Sequence, residues 1–191
     1  LRPGRTTDMA DLVRAEARRN AELATTAAEL RAAVDRLAQQ VPGDDPLADQ
    51  LAELSRNAQL TPVAGPAVTV TLSDAPLSVK PAGVPDELLI VHQQDIQAVV
   101  NAMWQGGAEA ITIQGQRVTA QTGVKCVGNT VVLHGVPYAP PYVITAIGDQ
   151  VAIERALESS TYLQTYREYV AAYRLGYSQE READVTLPGY Q

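Results

Sequence analysis

All nine aromatic side chains of this 191-residue chain, eight Tyr and one Trp, lie between Trp104 and Tyr190, and Phe is absent. Aromatic rings supply much of the apolar area that closes a globular core, so residues 1–60, which have none, cannot build the same kind of core as the rest. The divide falls at Thr61-Pro62-Val63-Ala64-Gly65-Pro66. Pro removes an amide donor there and disfavours helix in the residue before it. Three parts are predicted: a helical region over 1–60, a linker over 61–66 and an α+β domain over 67–191.

In the first part Leu23, Ala27, Leu30, Val34, Leu37 and Val41 alternate in steps of four and three, the period of about 3.5 residues that makes a coiled-coil seam. Val13 and Asn20 extend the a positions upstream, with Glu16 weakening the first turns at a d position. β-Branched residues and one buried Asn at a, with Leu at d, favour a parallel dimer. A helix over 8–40, capped by Thr7 or Asp8, would run roughly 50 Å. The alternative is a solvated amphipathic helix packed on its own domain, since Ala-rich heptads make weak zippers; the zipper is favoured. Pro42-Gly43 stops this helix, and Asp45-Pro46 opens another in which Leu47, Leu51, Leu54 and Ala58 keep the spacing. The loop between them shifts the register and leaves open whether the second helix folds back, bends or carries the seam on.

The second part reads as alternating short elements. Val68, Val70 and Leu72 share one face of a strand over 66–72, with Thr69 and Thr71 on the other. Gln94-Asp95 opens a helix marked by Ile96, Val99, Val100 and Met103, which ends at Gly106-Gly107. Strands follow over 110–113, 124–127, 130–133 and 142–147, with Gly128-Asn129 as a tight hairpin connection. Two helices, from Asp149 and from Thr161, precede a short strand over 184–187. This order predicts an α+β sheet with helices packed on one face.

The residues give few openings for chemistry. With 22 acidic against 15 basic side chains the net charge is −7, which opposes attraction to nucleic acid or anionic lipid. One cysteine, Cys126, allows no internal disulfide, and no apolar run is long enough to cross a bilayer. The glycine spacing over 123–130 resembles a phosphate-binding loop, but Asn129 stands where Lys is required. His92 and His134 show no metal-ligand spacing and read as structural side chains, and Cys126 reads as a small buried hydrophobe. Glu154, Glu158 and Glu168 are interspersed with Arg155 and Arg167, the pattern of a solvated face. No catalytic, cofactor or metal site is predicted. The most unusual local feature is Tyr162, Tyr166, Tyr169 and Tyr173, spaced four, three and four on one helix face. That face either packs on the sheet or forms a protein-contact surface.

The runs GAEAITIQGQRV and HGVPYAPPYVITAIGD, together with GPAVTVTLSDAP and LLIVHQQDIQAVVNAMWQ, cover nearly the whole second region. In that order they resemble the bacterial family known as domain of unknown function 881, or uncharacterised protein family 0749. Its motif falls on Gly107, Glu109, Gln116, Arg117, Gly148 and Asp149, none of which forms a known active site. His134-Gly135 departs from the Asn-Gly common in that hairpin, and the tyrosine-rich helix departs as well. The resemblance implies a single-pass membrane protein of the cell envelope: an anchor preceding this chain, a coiled coil, then a ferredoxin-like domain outside the membrane.

The expected function is therefore non-enzymatic. This extracytoplasmic portion would act as a protein–protein interaction scaffold in the envelope, in cell division or wall synthesis, homodimeric through its N-terminal helix. The alternative is a ferredoxin-like regulatory domain that senses a small molecule.

Overall fold

The computed structural model describes residues 46–76, 78, 83–127 and 130–190, and upstream of these only positions 18, 19, 22, 23, 25, 26, 29, 30, 32–34 and 36. The chain divides at Leu60 into two units, the second being Thr61–Tyr190. In the first, all the described upstream positions have helical backbone. Leu23, Leu30 and Val34 of the predicted seam are exposed there. Val13, Asn20, Ala27, Leu37 and Val41 lie outside the described residues, as does the Gly128-Asn129 connection.

Helix α1 (Pro46–Asn57) carries Asp49 in its first turn and Arg56 in its last, each favourable to the helix dipole. Beyond it Gln59 turns left-handed at φ 59°. The amide of Leu60 then donates to the Ser55 carbonyl, and that of Gln59 to the Arg56 carbonyl, both at 2.9 Å. This Schellman closure satisfies carbonyls that the helix end leaves free. Leu51 and Leu54 face solvent. Among the described residues no helix is long and apolar enough to cross a membrane.

The second unit follows β1 (Val63–Ser73) with a 3₁₀ turn (Asp86–Leu89), α2 (Gln93–Gln105), β2 (Ala110–Ile113) and β3 (Gln116–Arg117). Then come β4 (Val124–Val127), β5 (Thr130–Leu133), β6 (Val136–Tyr138), β7 (Tyr142–Ile147), α3 (Gln150–Ser159), α4 (Thr161–Tyr173) and β8 (Gly176–Leu187). Five strands form one sheet in the order β3-β2-β7-β1-β8, and β4-β5-β6 form a second. Every paired neighbour is antiparallel, with Val70 opposite Ile144 and Thr112 opposite Thr145. The predicted α+β class is what the chain adopts, and its sheets are antiparallel.

Strand alternation sorts the five-stranded sheet into two faces. Val68, Val70, Leu72, Ile111, Ile113, Ile144 and Ala146 point one way, into a core shared with Ile96, Val99 and Met103 of α2, Ile153 and Leu157 of α3, and Leu163 and Tyr166 of α4. Burying each such side chain contributes roughly 1.5–3 kcal/mol. The second sheet adds Val131 and Leu133 to the same core. Helices α2 and α3 approach so closely at Gly106 that a Cβ there would lie 2.5 Å from the Ile153 Cα, leaving no room for any other residue.

The segment read as a linker departs from that expectation, because β1 starts at Val63. Val63, Ala64 and Gly65 pair with Leu187, Thr186 and Val185 of β8, and a bulge between Gly65 and Ala67 interrupts the ladder. Pro66 has no amide hydrogen to donate, and a bulge leaves a residue unpaired, so the strand tolerates it there. The terminal strand is correspondingly long, spanning Gly176–Leu187. Past the bulge, Leu187 joins Ala67, Ala110 and Ile147 in a small second core, with Val63 and Val185 against it. The bent ribbon thus covers part of the sheet's other face.

Arg117 is anchored on that covered face. Its register opposite Thr112 points it away from the helices, and it is 5% exposed. Its guanidinium donates to the Pro188 carbonyl at 3.0 Å and, more weakly, to the Thr61 carbonyl at 3.5 Å. Burial lowers its pKa from the usual guanidinium range, because charge is disfavoured away from water. Its Nε has no partner.

Candidate functional site

The motif residues of the predicted resemblance do not converge on a site; they turn, cap and tie the fold. Gly107 holds φ +82° between α2 and β2, and Glu109, itself exposed, donates its amide to the Ile147 carbonyl at 2.8 Å. Gly148 donates to the Pro66 carbonyl at 3.1 Å. The Asp149 carboxylate caps α3 by accepting from the amides of Val151 and Ala152 at 2.9 and 3.1 Å. Gln116 donates to the Tyr138 hydroxyl at 2.9 Å, joining the two sheets.

The two histidines have separate surroundings. His134, at φ 49° in the turn from β5 to β6, lies 3.3 Å from the Thr122 hydroxyl and meets the Tyr190 ring edge-on at 5.4 Å. His92 precedes α2. Among the described residues no three His, Cys, Asp or Glu side chains gather where they could hold a metal ion. Cys126 is exposed, against the expectation of burial. It sits on the short outer strand β4 at the start of α2, where its amide donates to Gln93 Oε1 at 3.0 Å and its sulfur accepts from the Gln93 amide at 3.2 Å.

The tyrosine row of α4 is divided by its packing. Tyr166 is buried in the core, with its hydroxyl 3.4 Å from the Gly176 carbonyl. Tyr162 and Tyr169 are 47% and 37% exposed, and the rings of Tyr169 and Tyr173 meet at 5.5 Å. The row is thus split, with Tyr166 packed inward and Tyr162 and Tyr169 partly open to solvent. Ser160 caps the helix by accepting from the Leu163 amide, and Arg174 ends it in the left-handed conformation at φ 62°.

Between α4, the 3₁₀ turn and the start of α2 lies a cavity of about 540 Å³. Glu87, Asp95, Tyr162, Tyr166 and Tyr169 line it, with Leu88, Ile90 and Leu175 as its apolar wall and His92 at its edge. Asp95 is 7% exposed. One of its oxygens accepts from the Tyr162 hydroxyl at 2.8 Å and the other from the His92 amide at 2.7 Å. Asp at this third helical position both satisfies an orphan amide and favours the helix dipole. The phenol of Tyr162 has its pKa raised, by burial first and then by its hydrogen bond to Asp95. That of Tyr166 is raised by burial and by the negative charge of Asp95 and Asp74.

Sequence reasoning found the tyrosines and missed their carboxylate. Asp95 signals a helix start, and nothing local shows that Tyr162 will reach it across 67 positions. Among the described residues no Lys or Arg lines the cavity, which sets the carboxylates of Asp95 and Glu87 beside three tyrosines.

Comparison with known proteins places the chain. The family model described as "Bacterial protein of unknown function (DUF881)" matches residues 50–191. Two UPF0749 proteins of Mycobacterium tuberculosis, from strains CDC 1551 / Oshkosh and H37Rv, are each 32% identical over 190 residues, covering 93% of this chain and 62% of their own length. The UPF0749 protein YlxW of Bacillus subtilis is 41% identical over 87 residues, 46% of this chain and 37% of its own. The crystal structure of an uncharacterised conserved protein from Mycobacterium tuberculosis superposes with a TM-score of 0.57 at 24% identity, covering 74% of this chain and 92% of that one. That likeness concerns the fold alone.

Proposed function

Since the chain belongs to the DUF881 family of bacterial proteins of unknown function, we propose that it is the extracytoplasmic part of a single-pass membrane protein, a non-enzymatic scaffold for protein–protein interaction in the cell envelope. One observation carries the reading. Leu23, Leu30, Val34, Leu51 and Leu54, on the four-and-three spacing, are 58–65% exposed. Large aliphatic side chains repeated at this spacing in two helical segments are costly to leave in water and are stabilised when another helix covers them. A second copy of the same helix, in parallel register, supplies such a cover.

In this proposal the second unit is a ferredoxin-like domain. Its strands β1, β2, β7 and β8 run β-α-β, β-α-α-β with the order β2-β7-β1-β8, which supports that description; β3 to β6 are an addition between β2 and β7. The chain spans 62% of the length of its mycobacterial relatives. Anchor, partners and a role in division or wall synthesis are parts of the proposal that rest on the family's layout.

Sedimentation equilibrium of 1–191 against 61–191 tests the dimer. The longer chain is expected to be dimeric and the shorter a folded monomer, since among the described residues the core of the second unit is built from Val63 and residues after it. A monomer at every concentration for both would sink the scaffold reading. Location tests the rest: the tagged full-length protein should collect at the division septum or growing pole, and a diffuse cytoplasmic signal would overturn the anchor. The cavity favours a second reading, a small-molecule sensor, in which residues 61–191 dimerise by themselves and gain thermal stability with a ligand.

A further inference from the structure

We propose that the cavity between α4 and the start of α2 binds an organic cation, the ammonium or guanidinium end of a basic molecule. The site lies wholly inside the second unit, so the inference stands whether or not the helical region dimerises.

Three features converge. Asp95 brings a carboxylate that is nearly excluded from water, and Glu87 a second at the rim. A carboxylate accepts about four hydrogen bonds, and the Tyr162 hydroxyl and His92 amide use one on each oxygen of Asp95. Acceptor positions remain for a donor arriving from the cavity: the His92 Nδ1 stands 3.9 Å from one oxygen, beyond hydrogen-bond distance, and among the described residues no lysine or arginine of the lining occupies them.

The rings are the second feature. Tyr162, Tyr166 and Tyr169 offer aromatic surface on the α4 side, and a cation over a tyrosine face is attracted by the ring's quadrupole. The same pairing already occurs nearby, where the Arg167 guanidinium lies 4.9 Å from the centre of the Tyr177 ring. The third feature is the wall of Leu88, Ile90 and Leu175, which suits the alkyl stem that basic side chains carry behind their charged ends. A volume near 540 Å³ is that of a small-ligand site. Burial first, and then the negative charge of Asp95, raises the phenol pKa values of Tyr162 and Tyr166. The carboxylates of Asp95 and Glu87 favour a cation there over an anion or a neutral ligand.

Titration calorimetry of the full chain at low salt tests the site. The probes are N-acetyl-arginine amide and N-acetyl-lysine amide, each beside an uncharged counterpart, the citrulline and Nε-acetyl-lysine compounds. A heptapeptide with one central Arg, and its citrulline form, make up the second arm. A cation preference of about tenfold or more among the small probes supports a free basic metabolite as the ligand. The same preference in the peptide arm alone supports a partner's basic side chain. Equal affinity of charged and uncharged forms in both arms, or no binding in either, overturns the proposal.

Two variants locate the binding. Tyr169→Ala and Glu87→Gln change exposed side chains and should preserve the fold; each is expected to weaken the charged probe about fivefold. Undiminished binding in both would put the ligand elsewhere and refute the assignment. Asp95→Asn also removes charge from the start of α2, so its effect is read beside a near-ultraviolet spectrum that reports whether the fold survives.

Discussion

The two units handle their aliphatic residues in opposite ways. In Thr61–Tyr190, Val68, Ile111, Ile144, Ile153, Leu157 and Leu163 are fully buried. In the upstream unit Leu30 and Leu54 keep more than 60% of their surface in water. The chemistry of the side chains is similar; the difference lies in what can cover them. A sheet with helices on one face closes a core from its own chain, whereas a lone helix has one apolar edge and no second layer. Folding completes the second part, and in the proposed dimer a second copy would cover the first.

The strongest way to break that contrast is to truncate matched residues on each side. Ile144→Ala should destabilise the second unit by about 2–5 kcal/mol through lost burial and a cavity. Leu54→Ala should change the same transition by no more than about 0.5 kcal/mol. Near-ultraviolet circular dichroism in denaturant separates the two, since every aromatic side chain lies in 104–190. Similar losses for both variants would mean that the upstream leucines support the second unit, and the division would fail.

A smaller effect is expected at Arg117. Arg117→Ala leaves the Pro188 carbonyl, held at 3.0 Å, without its donor on the covered face, and buried groups stranded in this way cost about 1–3 kcal/mol. Arg117→Met should recover part of the loss, since it refills the space without a charge to desolvate. Full stability of the Ala variant by chemical denaturation would show that the bent ribbon holds without this tie.

Asp149→Ala removes the α3 cap and should cost about 1 kcal/mol. Asp149→Ser, which can accept the same two amide hydrogens, should cost less. An equal loss for both would place the role of Asp149 outside capping.

The last prediction has no consequence at neutral pH. Burial raises the phenol of Tyr142 to about 12, and Tyr162 and Tyr166 are raised as well. A folded pKa above the unfolded value of about 10 gives stability that is complete below pH 10 and lost as the pH climbs toward the folded values. Phenolate absorbance should therefore show three of the eight tyrosines ionising late, and together with alkaline unfolding. Ionisation of all eight in one step near the ordinary phenol range would contradict the burial of this cluster. The upstream unit, having no tyrosine, adds nothing to the signal.

Much of the fold was legible because it is written in local periodicity. Alternation at Val68, Val70 and Leu72 marked a strand and its inner face, and the spacing of Ile96, Val99 and Met103 marked the inner stripe of α2. Asp149 and Ser160 stand where helices start, and both cap. The site was less legible. The tyrosine spacing identified one helix face, yet only Tyr166 is fully buried there, while Tyr162 and Tyr169 stay partly open beside the cavity, and that depends on what packs over each turn of the helix.

By itself, then, the sequence missed β3, β6 and most of β8, but determined that there are two unlike parts, where the helices and most of the strands of the second part occur, and which side of the main elements is apolar. Those properties depend on neighbours within a turn or two, and side-chain period and backbone stereochemistry set them. The tertiary structure alone decided that Val63 to Gly65 would pair with the end of β8, that Cys126 would face solvent beside α2, and that Asp95 would meet Tyr162. Each of those outcomes joins residues far apart in the chain, and strand register and helix packing select such partners only when the whole unit closes.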